Sequence, residues 1–345
     1  MKTLKSILDR ATLAINVLLA FLLFLMAVLS FLPFHPFAAI SVLSLVVPLL
    51  VICNLLFLSY WAFKKNRRAF LSLIALGAAY LAFGSFFGFG KEQEEQLPGD
   101  LKIMTYNVWG FNKNGWIDRP GIGDGIVELI KEQDPDILCL QEHSRERYSQ
   151  LRQFPYRSVT PSSARRTVQA IFSKYPIVGE GSLDLPGTIN NVIYADIAFG
   201  KDTIRVYNAH LQSFRIVPST SSFSDGKRTQ RTYQRLVDTF SKQMEQARLF
   251  RDHLGESPYI NLIGGDLNNT QFSNIYKVIK GEMQDSFLEA GRGFGGTFKL
   301  FHVPIRIDYI LADPRLKVLE HHNFDKRLSD HYPVLARLRL ESSHQ

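Results

Sequence analysis

The chain has 345 residues, 46% of them hydrophobic, a formal charge of +8 and two cysteines. That length leaves room for more than one structural unit, and two cysteines exclude a disulfide-stapled scaffold. The charge does not mark a nucleic-acid-binding face, because +6 of it sits in the first 90 residues (Lys2, Lys5, Arg10, Lys64, Lys65, Arg67 and Arg68 against Asp9), leaving +2 for the other 255.

From Ala11 to Phe63 there is no Asp, Glu, Lys or Arg, and 69–90 is likewise uncharged. A bilayer crossing takes about 20 apolar residues, so three spans are expected, at about 11–32, 38–63 and 69–90. PFHPF (33–37) would form a tight turn between the first two. A cleaved signal sequence has an apolar core of only about 7–15 residues, which three successive stretches do not fit. Basic residues concentrate in cytoplasmic loops, and both the N-terminus and KKNRR (64–68) are basic, with Tyr60 and Trp61 at the interface just before them. The resulting expectation is an integral membrane protein of a bacterial inner or plasma membrane. Its N-terminus would be cytoplasmic and its third span would lead outward into the polar linker KEQEEQLPGD (91–100), with an extracytoplasmic domain over 101–342. Cys53 falls inside the second span and Cys139 in a predicted strand, so no bridge between them is expected.

Beyond the linker the pattern alternates between strand and helix periods, as in a mixed α/β domain. Strands are predicted at 101–109, 136–142, 168–174, 191–199, 203–211, 259–265, 305–311 and 333–340. Helices are predicted at 123–133, about 229–254 and near 273–280. SVTPSSARRT (158–167) and VPSTSSFSDGKRT (217–229) read as loops.

Polar residues recur where these strands end. Asn107 closes the first strand, Glu142 the second and His210 the run TIRVYNAH. Asp266, Asn268 and Asn269 follow YINLIGG, Asp308 lies in IRIDYIL, and Asp330–His331 precede the last strand. Taken singly, each has a plain structural reading: a turn-forming Asn, a surface Glu beside Arg145, a satisfied core His, a Gly-Asp-Asn turn. Asp308 resists that reading, since a carboxylate between Ile307 and Tyr309 needs a partner to offset its desolvation, and a histidine is a natural one. Strand-end residues from separate segments can meet at one rim of a sheet.

Metal-assisted phosphoryl hydrolysis uses all of them together. Glu142, Asn107 and Asp330 offer the oxygen ligands a hard cation such as Mg2+ takes, with Mn2+ an acceptable substitute. Asp266 is the candidate to activate or orient a water. Asn268, His210 and His331 can donate to phosphoryl oxygens, and Asp308 can hold His331 in its tautomer.

The series TYNVW (105–109), QE (141–142), NAHL (208–211), GGDLN (264–268), RIDYIL (306–311) and SDHYPV (329–334) resembles the endonuclease/exonuclease/phosphatase superfamily, in the family's order and over essentially the whole outer domain. The resemblance implies an α/β fold, a four-layer sandwich of two packed mixed sheets flanked by helices and like DNase I, here preceded by an all-α transmembrane region. It implies one divalent-metal site, with Glu142 as principal ligand beside Asn107 and with Asp330 in metal or water contact. Asp266 would position the water, Asn268, His210, His331 and Asn107 would contact the phosphate, and Asp308 would pair with His331. The expected activity is a membrane-anchored, Mg2+-dependent phosphodiesterase or phosphatase outside the cytoplasm, acting on a phospholipid head group, a small phosphodiester or nucleic acid. An extracellular nuclease of the same fold is the alternative within enzymes, and a non-catalytic receptor for phosphorylated ligands is the alternative outside them. No protein partner is indicated.

Overall fold

A computed structural model describes residues 2–31, 41–91, 94–162, 166–214, 226–300 and 303–341. They divide into two compact units, 1–86 with 271–274, and 87–270 with 275–345. The predicted turn at 33–37 and parts of the predicted loops 158–167 and 217–229 lie outside the described residues.

The first unit is helical: Lys2–Leu29, a 3-10 turn Leu43–Val46 running into Val47–Phe63, and Ala69–Phe83. Leu23, Ala27, Val47, Leu50, Ala75 and Ala79 bury against one another where the three helices meet. Their contact is also polar. The buried Asn16 amide donates to Ser72 Oγ at 2.7 Å and accepts from Trp61 Nε1 at 2.9 Å, so one side chain ties the three helices together. Two helices, Ile7–Leu29 and Leu43–Phe63, are long and apolar enough to cross a membrane. The expected third span is shorter. Its helix stops after 15 residues at Gly84, which takes φ 75°, and Gly88–Phe89 then run as a strand. At 1.5 Å per residue that helix reaches about 22 Å, short of a hydrocarbon core of about 30 Å. The apolar run GSFFGFG had no charge to betray its change of backbone. The outward placement of the domain required three full crossings and does not follow from two.

The second unit contains two six-stranded mixed sheets. The first runs Leu316–Asn323, Val334–Leu340, Asp100–Asn107, Ile137–Gln141, Ala170–Ser173, Tyr156–Val159; the second runs Gln284–Asp285, Asp308–Ala312, Ile260–Asp266, Asp202–His210, Val192–Phe199, Ile177–Leu183. The core between them follows from strand alternation. Leu101 and Ile103 face inward with Ile137 and Cys139, meeting Val206, Leu262 and Ile310 from the other sheet. Met104, Tyr106, Leu138 and Leu140 face outward and bury under the amphipathic helix Ile122–Gln133 through Ile126 and Ile130. Helix Gly226–Glu256 covers the second sheet on its outer face, where Phe250 meets the ring of Tyr207. The layers are those of a DNase I-like α/β sandwich, as expected.

Four strands of these two sheets, the edge strand at each end of each, escaped the sequence pattern, among them the two-residue Gln284–Asp285. Ile177–Leu183 is a half-exposed edge strand carrying Gly179 and Gly181, Tyr156–Val159 is four residues long, and Leu316–Asn323 is an edge strand broken by a bulge between Val318 and Glu320. Edge strands lack the two-sided burial that gives a clean alternation.

Candidate active site

Register brings the strand ends to one rim. Asp100–Asn107 pairs parallel with Ile137–Gln141, opposing Asn107 to Gln141, and Asp202–His210 pairs parallel with Ile260–Asp266, opposing His210 to Asp266. The antiparallel strand Asp308–Ala312 places Asp308 opposite Asp266. The sheets can approach beneath this rim because Gly264 has no side chain: a Cβ there would stand 3.3 Å from Cys139 Sγ on the facing sheet. Buried amides lock the approach, with Gln141 Nε2 donating to Asn208 Oδ1 (2.7 Å) and to Thr105 Oγ1 (3.0 Å). Asn208 Nδ2 donates to the Leu140 and Ala170 carbonyls, both at 2.9 Å.

All eight expected residues meet here. Asp266 is buried at the centre. Its Oδ1 accepts the Asn268 backbone N–H at 2.8 Å, and its Oδ2 accepts the side-chain amides of Asn107 and Asn268, each at 3.2 Å. His210 Nε2 and His331 Nε2 each stand 3.7 Å from the same Oδ2. His331 Nδ1 bonds Asp308 Oδ2 at 2.9 Å, the predicted pair. Thr297 Oγ1 accepts the backbone N–H of both Ile307 and Asp308, fixing the start of that strand. Asn268 (φ 48°) and Glu142 (φ 50°) hold left-handed backbone conformations uncommon for such residues, the kind of strain that collects at functional sites.

Electrostatics divides the site in two. Burial alone would lower His331, but the Asp308 carboxylate, with Asp266 and Asp330 behind it, outweighs that and raises it to about 10. Burial raises Asp266 to about 6 against the pull of His331. Burial lowers His210, against Asp266, so it is a neutral imidazole at pH 7. Asp266, Asp308 and His331 each offer an atom within 4.8 Å of the others. An imidazolium whose Nδ1–H is committed to Asp308 has no lone pair for a metal, however, so this trio is an internally paired relay with one net negative charge rather than a cradle.

The other half is acidic, and the positive group that acts on it is the His331 imidazolium of the first half. Asp330 is raised by burial; the positive His331 beside it draws it back down, and the negative charge of Glu142 pushes it up again. Glu142, whose side chain is 34% exposed, stands 3.9 Å from His210 Nε2. Asn107 Nδ2 lies 3.4 Å from Glu142 Oε1. Among the described residues no Lys or Arg pairs with either carboxylate. Two facing carboxylates and an amide, partly open to solvent, fit a hard divalent cation.

Two contributors carried no assigned role in the sequence reading. The Ser329 hydroxyl donates to the Asn107 carbonyl at 2.8 Å and lies 3.1 Å from Asp330 Oδ1, pinning the Asp330–His331 segment to the end of the first strand. Its position inside the SDH motif was the available signal. Trp109 stacks on Trp116 with ring centroids 4.3 Å apart and 13° between planes. Only the tryptophan in TYNVW could have hinted at that.

A model of the endonuclease/exonuclease/phosphatase family matches residues 104–331, and a domain of unknown function (DUF8431) matches 6–86. The chain belongs to the endonuclease/exonuclease/phosphatase family, whose enzymes are phosphoester hydrolases that typically depend on a divalent metal. Solved structures agree on the fold. An endonuclease/exonuclease/phosphatase from Bacteroides vulgatus is 19% identical with TM-score 0.54, covering 71% of this chain and 100% of that one. A D. rerio TDP2 complexed with single-strand DNA product is 16% identical with TM-score 0.53, over 70% and 100%. A Bacteroides thetaiotaomicron mannosyl-6-phosphatase is 18% identical with TM-score 0.51, over 69% and 99%. No curated protein matches the sequence.

Proposed function

We propose that the chain is a membrane-held phosphoester hydrolase using Mg2+, with Mn2+ as substitute, in which Asp266 activates water beside the Asp308–His331 pair. The observation that carries this reading is the division of the site into a relay whose imidazolium is held by Asp308 and a more open, acidic side formed by Glu142 and Asp330. Glu142, Asp330 and Asn107 would hold the cation. When bound, it supplies positive charge to a phosphoryl oxygen.

The chain's own groups do the rest. Asn107 and Asn268 fix both oxygens of Asp266 by hydrogen bonds, leaving the carboxylate one orientation in which to take a proton from water. His331 keeps its charge because Asp308 holds its Nδ1–H, so Nε2–H faces the site as a donor to charge developing on phosphorus-bound oxygens. The neutral His210 adds a donor without competing for the proton that Asp266 takes, while the two Asn268 amide hydrogens are held by Asp266 and the Leu211 carbonyl.

Membrane attachment rests on the first unit. Leu18, Phe21, Leu49, Leu56 and Leu81 are each more than half exposed, along helices carrying no charge between Ala11 and Phe63. Apolar surface on that scale marks a membrane or partner-covered face.

The test uses the full-length protein in detergent micelles with Mg2+ or Mn2+, screened against single-stranded DNA, RNA, phospholipids, sugar phosphates and small phosphodiesters. A Glu142→Ala/His331→Ala double variant serves as control. Metal-dependent turnover lost in the double variant supports the reading. Folded, metal-binding protein that turns over nothing refutes it in favour of a phosphate-binding receptor. Membrane fractionation checks the anchor: release of the protein by carbonate without detergent would overturn it.

A further inference from the structure

A cavity of about 440 Å3 opens beside the carboxylates, lined by Trp109, Trp116, Arg119 and Arg327 and reaching Ser329 and Asp330. Its aromatic wall is built rather than incidental. Four consecutive residues, Trp109 to Asn112, take positive φ between 45° and 61°, which turns the chain sharply after the Asn107 strand. The Asn112 side chain then clamps the returning loop through both of its atoms, Nδ2 to the Ile117 carbonyl and Oδ1 from the Ile117 N–H, each at 2.9 Å. That closure lays Trp116 on Trp109, with Trp116 still 47% exposed. The platform is tied to the site itself: the Trp109 N–H donates to Asn107 Oδ1 at 3.2 Å. Across the opening, the Arg119 guanidinium donates to the Arg327 carbonyl at 3.0 Å, so the loop closes on the segment that carries Asp330.

We propose that this cavity seats an unpaired nucleobase, so that the substrate is a phosphoester of a nucleoside, either a nucleotide or a single strand. The position of its phosphate rests on the hydrolase reading above; the base subsite stands on its own geometry. Two near-parallel indoles form a stack whose next member is another flat π-system, and a π-face is what every base offers. The guanidinium rim suits the phosphate flanking such a base. The charged rim, Arg119 and Arg327 with Asp118 and Asp330, is hostile to an acyl chain. A paired base does not qualify, because its faces are already covered by neighbours in the duplex.

The test measures the anisotropy of a labelled oligothymidylate on the full-length protein in detergent with EDTA, so that nothing is turned over. An equally long abasic strand and thymidine monophosphate serve as competitors. The expected result is that the abasic strand competes at least about tenfold more weakly than the base-bearing one. Trp116→Ala should weaken binding by at least about tenfold, and Trp116→Phe should restore part of it. Equal competition by the abasic strand, or an unchanged affinity in Trp116→Ala, overturns the subsite. A mononucleotide that competes as well as the strand identifies a nucleotide ligand; one that does not identifies a strand. Base-dependent binding with no phosphoester hydrolysed under metal would leave this subsite standing while the hydrolase reading falls. Turnover with no discrimination for a base would do the reverse.

Discussion

The two halves of the site are built on opposite principles. Around Asp266 one cation is shared and the rest is hydrogen bonding: His331 sits between Asp266 and Asp308, and three hydrogen bonds from Asn107 and Asn268 fix the central carboxylate. Around Glu142 and Asp330, like charges act on one another on the more open side, and among the described residues no Lys or Arg pairs with either carboxylate. Preorganised charge costs nothing to arrange at the moment of reaction, which suits the half that handles water and phosphoryl oxygens. Like charges left facing each other cost stability unless something binds there, which suits the half that takes up an exchangeable ion. A substitution in the first half should therefore damage the chemical step, and one in the second should damage metal uptake.

The sharpest break in that comparison is Asp266→Asn. It keeps the shape but removes the proton acceptor, so kcat should fall on the order of a thousandfold, with the metal concentration for half-activity unchanged. A shift in metal requirement instead would mean that Asp266 is a ligand and that the division is wrong. Next in size is His331→Gln, expected to cost on the order of a hundredfold in kcat by removing a charged donor. Glu142→Gln should move the other quantity, raising the half-saturating Mg2+ concentration roughly ten- to a hundredfold. Calorimetric titration of metal in the absence of substrate reads that shift directly.

The pH profile separates the halves again. Asp266 must be ionised to accept a proton, so kcat/KM should fall about tenfold per unit below pH 6, where burial has placed it. The imidazolium works with the opposite sign. With its folded value raised from 6.5 to about 10, His331 contributes stability that is fully present below pH 6.5 and is lost as pH rises through 10. Thermal melts of the wild type should therefore lose stability between these limits more steeply than those of Asp308→Asn, in which the raised value collapses. Parallel melting curves would remove Asp308 as the group that holds the proton.

How much of this was legible in the sequence follows the same physical lines. Asn107, Glu142, His210 and Asp266 end strands whose interiors are apolar on both faces, so the pattern announced both the strands and their polar termini, and Asp308 declared itself by the cost of burying it. Tyr156–Val159 and Ile177–Leu183 were invisible because edges are half solvated. The length of the third apolar helix was misjudged because uncharged glycine and phenylalanine fit a span and a short strand equally well. The Trp109–Trp116 stack was hidden for another reason: it exists only because four residues turn left-handed and Asn112 closes the loop, and no periodicity encodes that. Gln141 and Asn208 stood inside quoted motifs, yet their work is to join two sheets, a relation between segments 67 residues apart.

Ser329→Ala is the finest test of the boundary between the halves. The hydroxyl belongs to neither, but it joins the Asn107 carbonyl to the segment bearing Asp330 and His331, and its oxygen stands 3.4 Å from the His331 backbone N–H. Removing it takes away a buried hydrogen bond worth about 1 kcal/mol and leaves the Asn107 carbonyl to find another donor. Both halves loosen by the same small amount, so kcat should fall a few-fold and the Mg2+ requirement should rise a few-fold together. Asp330 and Asn107 belong to one proposed ion site while His331 belongs to the relay. A change in one quantity without the other would therefore show that the segment moves as two pieces rather than one.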